Sequence, residues 1–239
     1  MPSRAIPYIK LVLHLVCLLP LAYLLYFYRS GALANYADPV NYVTHFTGDW
    51  AVWLLLSTLA ITPVRRIHRS LAWLVRFRRM VGLYAFFYAT LHLATYVFLF
   101  SGYDVPGALA GVRAGHWMEP FHQFAIVWPG MVDDAEKRKF IQVGLLAWLI
   151  LLALTVTSPQ RVLRAMGGRN WQRLHRLIYV AAVLAVIHYW WLVKTGVHTP
   201  WKDTAVLGIL LLARIFLAVR KRISTQAGAI TRRQESVQS

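Results

Sequence analysis

Cysteine and acidic residues are the scarce components of this 239-residue chain. The one cysteine, Cys17, falls inside an apolar run, so neither a disulfide framework nor a thiolate metal site can be built on it. Its expected role is packing. Nine acids stand against 26 basic residues, a formal net charge of +17. A surplus of that kind suits nucleic acid when it gathers in one patch or stripe, but here it is divided by position along the chain. Residues 64–79 hold Arg65, Arg66, Arg69, Arg76, Arg78 and Arg79 without an acid, and residues 158–176 hold Arg161, Arg164, Arg169, Arg173 and Arg176, again without one. Eight of the nine acids (Asp38, Asp49, Asp104, Glu119, Asp133, Asp134, Glu136 and Asp203) lie in the other set of connections. No nucleic-acid partner is expected. The chain also lacks a nucleophile–base constellation, a linker leading to a soluble module, and a visible internal repeat. Nor does it show the Gly/Pro-broken spans in corresponding halves that mark repeat-built transporters.

Apolar sequence is what it has in abundance: 58% of residues are hydrophobic and the mean hydropathy is +0.49. A soluble domain neither buries nor exposes so much apolar surface. Six runs, at 11–28, 50–62, 80–101, 140–156, 177–193 and 204–219, are separated by charged stretches. About 20 apolar residues cross a bilayer. The second run, bounded by Asp49 and Pro63, reaches that length only if Val43 and Phe46 extend it. The pattern predicts an all-α, polytopic membrane helical bundle of six transmembrane helices. The first run is too long for a signal-peptide core and has no small-residue cleavage site behind it, so it is read as retained. By the positive-inside rule both termini and the two arginine-rich connections are cytoplasmic, which suits a bacterial inner membrane. The arginines there are read first as anchors to anionic membrane lipid. Lys137, Arg138 and Lys139 fall on the outer side, against the rule. The expected organisation is a cytoplasmic N-terminus at 1–9, one membrane domain at 10–220 and a basic cytoplasmic tail at 221–239. The outer connection at 102–139 carries Trp117, Phe121, Phe124 and Trp128, which suit a segment lying on the outer leaflet or covering the bundle mouth.

Ionisable residues inside a membrane are functional candidates by default, and depth sorts the nine histidines. His92 lies thirteen residues beyond Arg79, and His188 fifteen beyond Arg173, on spans that both run outward. At about 1.5 Å rise per residue their depths agree within ~3 Å. Two neutral imidazoles facing each other at one depth can ligate haem iron axially. For a lone histidine an interhelical hydrogen bond is the better reading; two at matched depth favour the metal. His175, thirteen residues before His188, would lie about 20 Å lower on an ideal helix, with its side chain turned some 140° away. It is either a ligand of a second haem with an unusual partner such as His68, a contact to a flavin or quinone, or a structural hydrogen bond. His14 and His45 lie where they reach a quinone headgroup or are simply satisfied; His116, His122 and His198 are read as solvated or interfacial.

A set of ordered segments points to a known family. Leu13-His14-Leu15, Ala37-Asp38-Pro39-Val40, His45-Phe46-Thr47-Gly48 and Ile61-Thr62-Pro63 are followed by Ala89-Thr90-Leu91-His92, Trp171-Gln172-Arg173-Leu174-His175 and His188-Tyr189. In this order the chain resembles the haem-binding membrane subunits of bacterial periplasmic methionine sulfoxide reductase systems, the MsrQ (YedZ) family of the ferric-reductase-like transmembrane group. The resemblance implies one b-type haem, or two if His175 is also a ligand, with His92, His175 and His188 as the haem-linked residues. It implies an FMN requirement and electrons drawn from the quinone pool. It also implies delivery of those electrons to a periplasmic molybdopterin catalytic subunit (MsrP) that reduces methionine sulfoxide in oxidised proteins, so that the membrane chain transfers electrons rather than catalysing the reduction. The outer segment at 103–136 looks longer than is usual in the family. Two alternatives stand beside this reading. One is a ferric reductase-like oxidoreductase with another acceptor, although such relatives usually carry two histidines on the third span. The other, of a different class, is a haem-free transporter or assembly protein.

Overall fold

The computed structural model describes residues 5–67, 69–192 and 200–238. Among these, every regular element is helical: α1 (Ile6–Arg29), α2 (Pro39–Ile67), α3 (Arg78–Thr95), α4 (Val105–Arg113), α5 (Glu119–Lys137), α6 (Lys139–Val156), α7 (Gln160–Met166), α8 (Gly168–His175), α9 (Ile178–Leu192) and α10 (Trp201–Gln238). A wider helical turn at Tyr96–Phe100 prolongs α3. Among the described residues, four stretches are long and apolar enough to cross a membrane: Ile6–Arg29, Arg78–Phe100, Lys139–Val156 and Gly168–Leu192. They match the first, third, fourth and fifth expected spans. α2 and α10 fall short of that measure for a physical reason. α2 carries Asp49 together with Thr and Ser in its apolar half, and α10 carries Arg214 between Asp203 and Arg220.

Large apolar side chains cover the outside of the bundle. Leu19, Ile209, Leu212 and Phe216 are each more than 60% exposed, which a water-facing surface does not sustain and a lipid-facing one requires. Inside, α2 packs along α3 and α6 along α9, and the two pairs meet through α3–α6 and α2–α9 contacts. Ala85, Ala181 and Ala182 are almost completely buried, and small side chains of this kind let helix backbones approach in a membrane.

α1 joins the bundle through a specific device. Pro20 interrupts its hydrogen-bond ladder, and a span in lipid must have its freed backbone groups satisfied again. The Tyr88 hydroxyl does this: it accepts from the Leu21 N–H at 3.2 Å and donates to the Cys17 carbonyl at 2.8 Å. Cys17 is thereby a buried packing residue at the α1–α3 contact. Tyr88→Phe should leave both groups unpaired and lower stability by about 1–3 kcal/mol. Thermal unfolding in detergent measures this, and an unchanged midpoint would show that the helix closes over the gap without the hydroxyl.

The outer connection is more ordered than its prolines suggest. It forms α4, capped by Asp104, whose carboxylate accepts from the Gly107 N–H at 2.9 Å, and then the long α5. Trp117, Met118 and Phe121 are each more than 65% exposed, consistent with an interfacial segment. Two of the basic residues that break the charge rule are paired one turn back, Lys137 with Asp133 at 2.6 Å and Arg138 with Asp134 at 3.2 Å.

Candidate functional site

His92 on α3 and His188 on α9 face each other, their ring centroids 5.8 Å apart and their planes at 84°. Each ring is fixed in the same way. His92 Nδ1–H donates to the Thr44 carbonyl at 3.0 Å, and His188 Nδ1–H donates to the Phe140 carbonyl at 2.7 Å. A carbonyl can only accept, so the proton in each ring sits on Nδ1 and the lone pair on Nε2. Each ring also lies against a glycine. A Cβ on Gly48 would stand 3.1 Å from His92 Nδ1, and one on Gly144 would stand 2.7 Å from His188 Nδ1.

These parts correspond one to one. Thr44, Gly48 and His92 recur as Phe140, Gly144 and His188, each 96 residues further on. The same offset relates Ala51 to Ala147, Leu55 to Leu151, Pro63 to Pro159, Arg65 to Arg161, Ala85 to Ala181 and Ala89 to Ala185. The α2–α3 and α6–α9 hairpins thus each present one imidazole, from matched positions 96 residues apart. A glycine followed 44 residues later by a histidine, twice, was the signal in the sequence that could have pointed to this matched arrangement.

The residues fit a haem. Two imidazoles coordinated to one ion at about 2.0–2.1 Å on each side would have centroids about 6 Å apart, close to the separation found. With both Nδ1 atoms bonded, Nε2 is the coordinating atom left to each ring, and the carbonyl partners are the outer-shell contacts that orient metal-bound histidines. Thr95 steadies the α3 side, donating to the His92 carbonyl at 2.7 Å with its hydroxyl 3.0 Å from that of Thr44. The Phe140 ring lies beside the pair, 6.0 Å from His188 between centroids.

His175 stands apart from this pair. It ends α8, and the chain turns at Arg176–Leu177 before α9 begins, so the ideal-helix angle between His175 and His188 does not apply. Its ring stacks on Trp171 at 3.8 Å, and its Nε2 lies 3.3 Å from the Thr157 hydroxyl. The corresponding position in the first hairpin is Arg79. His68 and His198, like the end of the fifth apolar run at Val193, lie outside the described residues. His14 Nδ1 meets the Tyr84 hydroxyl at 2.8 Å. His116 and His122 are exposed on the outer segment, and no group of three or more metal-binding side chains occurs among the described residues.

The chain is similar to known proteins over most of its length. The family profile described as ferric reductase like transmembrane component matches residues 15–186. A protein-methionine-sulfoxide reductase heme-binding subunit MsrQ from Herminiimonas arsenicoxydans is 38% identical over 226 residues, covering 93% of this chain and 91% of the relative. The protein of that name from Xanthomonas axonopodis pv. citri (strain 306) is 41% identical over 220 residues, covering 90% and 89%. A third, from Xanthomonas oryzae pv. oryzae (strain MAFF 311018), is 41% identical over 213 residues, covering 87% and 86%. No solved structure matches.

Proposed function

Because the chain belongs to the ferric reductase like transmembrane family and, within it, to the MsrQ heme-binding subunits, we propose that it carries electrons across the bacterial inner membrane to a methionine sulfoxide reductase. The observation that supports this best is the pair His92 and His188, both rings held by Nδ1 and facing each other with centroids 5.8 Å apart. In this reading the two imidazoles would hold the iron of one b-type haem. The acceptor is the periplasmic molybdopterin subunit MsrP, which repairs oxidised proteins. The donor is the quinone pool, with FMN as a further cofactor; those three assignments rest on the family resemblance.

The topology follows. Six spans cross the membrane, α2 and α10 joining the four apolar stretches because their polar residues face the bundle rather than lipid. Both termini and the arginine-rich connections are cytoplasmic, and α4 and α5 lie on the outer face.

A haem held here supplies one-electron transfer at a potential set by its ligands and surroundings. The chain's own part is positional. Thr44 and Phe140 keep the Nδ1 protons, so both imidazoles present a lone pair without a proton having to leave. Gly48 and Gly144 let α2 and α6 close onto the rings, and Phe140 packs beside His188. His175 is a ligand of a second haem only if its Nε2 leaves the Thr157 hydroxyl. Pyridine haemochrome quantitation, with a dithionite-reduced minus oxidised spectrum of the purified protein, decides the count. About one haem per chain assigns the site to His92 and His188 alone, and about two brings in His175. A colourless protein from haem-replete cells would overturn the reading.

A further inference from the structure

α5 is apolar on two sides, and the chain covers only one of them. Phe124, Val127 and Met131 form its partly buried side, and the helix packs along α4. Met118, which caps it, and Phe121, Ala125, Trp128 and Val132 are all exposed. Their alternating steps of three and four residues set them in one stripe about 21 Å long. A helix that is apolar all round is normally buried. An exposed run of Trp, Phe and Met marks a surface that something else covers.

The stripe is turned away from the contacts that tie α5 down. The Tyr96 hydroxyl, four residues past His92, donates to the Asp134 carboxylate at 3.4 Å. Asp134 lies about 140° around the helix from Phe121 and about 160° from Val132. At the same end Gln142 on α6 donates to the Ala135 and Glu136 carbonyls at 2.9 and 3.2 Å, two residues after the Phe140 carbonyl that holds His188. A molecule seated on the stripe is thereby brought to the outer end of the histidine pair. Charge selects what that molecule is. No Lys or Arg occurs between Arg113 and Lys137, while Glu119, Asp133, Asp134 and Glu136 fall within that stretch. Lys137 and Arg138 answer Asp133 and Asp134; Glu136 is exposed and has no ion pair among the described residues. The aromatic residues alone would suit a lipid surface, but helices that lie on lipid carry Lys and Arg along the polar side, and here that side is acidic. A second copy would set acids against acids. A soluble protein with an apolar groove and a basic rim complements both the stripe and its edge.

We propose that the exposed stripe of α5, from Met118 to Val132, is the docking surface for the soluble subunit that accepts this chain's electrons. The identity of that partner rests on the electron-transfer reading; the surface rests on α5 itself. The test measures binding of the purified periplasmic methionine sulfoxide reductase subunit from the same organism to the full haem-loaded chain in phosphatidylcholine nanodiscs. Phe121→Ser/Trp128→Ser should raise Kd at least about 30-fold and leave haem per chain unchanged. Leu109→Ser, at an exposed position of α4 off the stripe, should bind as the wild type does. Should the double variant lose haem, Glu136→Lys takes its place, with a several-fold slower association at low salt. An unchanged Kd in the double variant, or an equal loss in Leu109→Ser, overturns the surface and leaves the partner standing. No binding by the wild type overturns the surface and the acceptor together, while the haem count stays independent of both. Two further results would assign the stripe elsewhere and overturn the proposal. One is quenching of the Trp128 emission, taken as wild type minus Trp128→Phe, by brominated phosphatidylcholine. The other is a wild type that is dimeric on size exclusion while the double variant is monomeric.

Discussion

His92→Ala and His188→Ala should each strip the purified protein of nearly all its haem, and the double variant should lose no more than either alone. Outer-shell partners of metal ligands change affinity by about 10–100-fold, so removal of an axial ligand costs at least that. The fold should survive. His92→Ala frees the Thr44 carbonyl of its 3.0 Å partner, a loss of about 1–3 kcal/mol for a buried acceptor. The double variant carries the sharper information. Two ligands of one haem are one unit, and their effects do not add. Two histidines serving separate haems would lose half the pigment singly and all of it together. Haem per chain is read by pyridine haemochrome, with size exclusion as the check on folding, and full haem in both single variants would remove the pairing from consideration.

The site was legible in part. Matched depth brings His92 and His188 to one level because the rise of a helix is fixed and the arginine-rich connections mark a common starting plane. Depth says nothing about rotation, so the facing of the rings and their carbonyl anchors emerged only from the packing. Gly48 and Gly144 carried no signal as single glycines in apolar runs; they gain meaning as the surfaces on which the imidazoles lie. For the fold, the apolar runs revealed helix positions well. The outer segment reads as a connection that mixes prolines with aromatic residues, yet Pro106 and Pro120 fall in the first turns of α4 and α5, where the missing N–H costs nothing. The break after His175 had no proline or glycine to announce it.

The two hairpins make a graded prediction. An added methyl on Gly144 would lie 2.7 Å from His188 Nδ1 and 2.8 Å from Cε1, closer than packed atoms tolerate, whereas on Gly48 the nearest atom, His92 Nδ1, is 3.1 Å away. Overpacking of this kind costs about 1–3 kcal/mol when the structure yields. Neither side of the contact yields freely, because the ring is held by the Phe140 carbonyl one turn before Gly144 on the same helix. Either α6 moves away from α9 or His188 turns off its anchor, and both displace Nε2 from the midline. Gly144→Ala should therefore lower haem affinity about 10–100-fold, as loss of an outer-shell contact does, and shift the reduced spectrum of whatever haem remains. Gly48→Ala should do the same more weakly, since a few tenths of an ångström relieve it. Haem titration into the haem-stripped variants ranks them. Equal affinities in the wild type and both variants would mean that the imidazoles do not need the glycine faces.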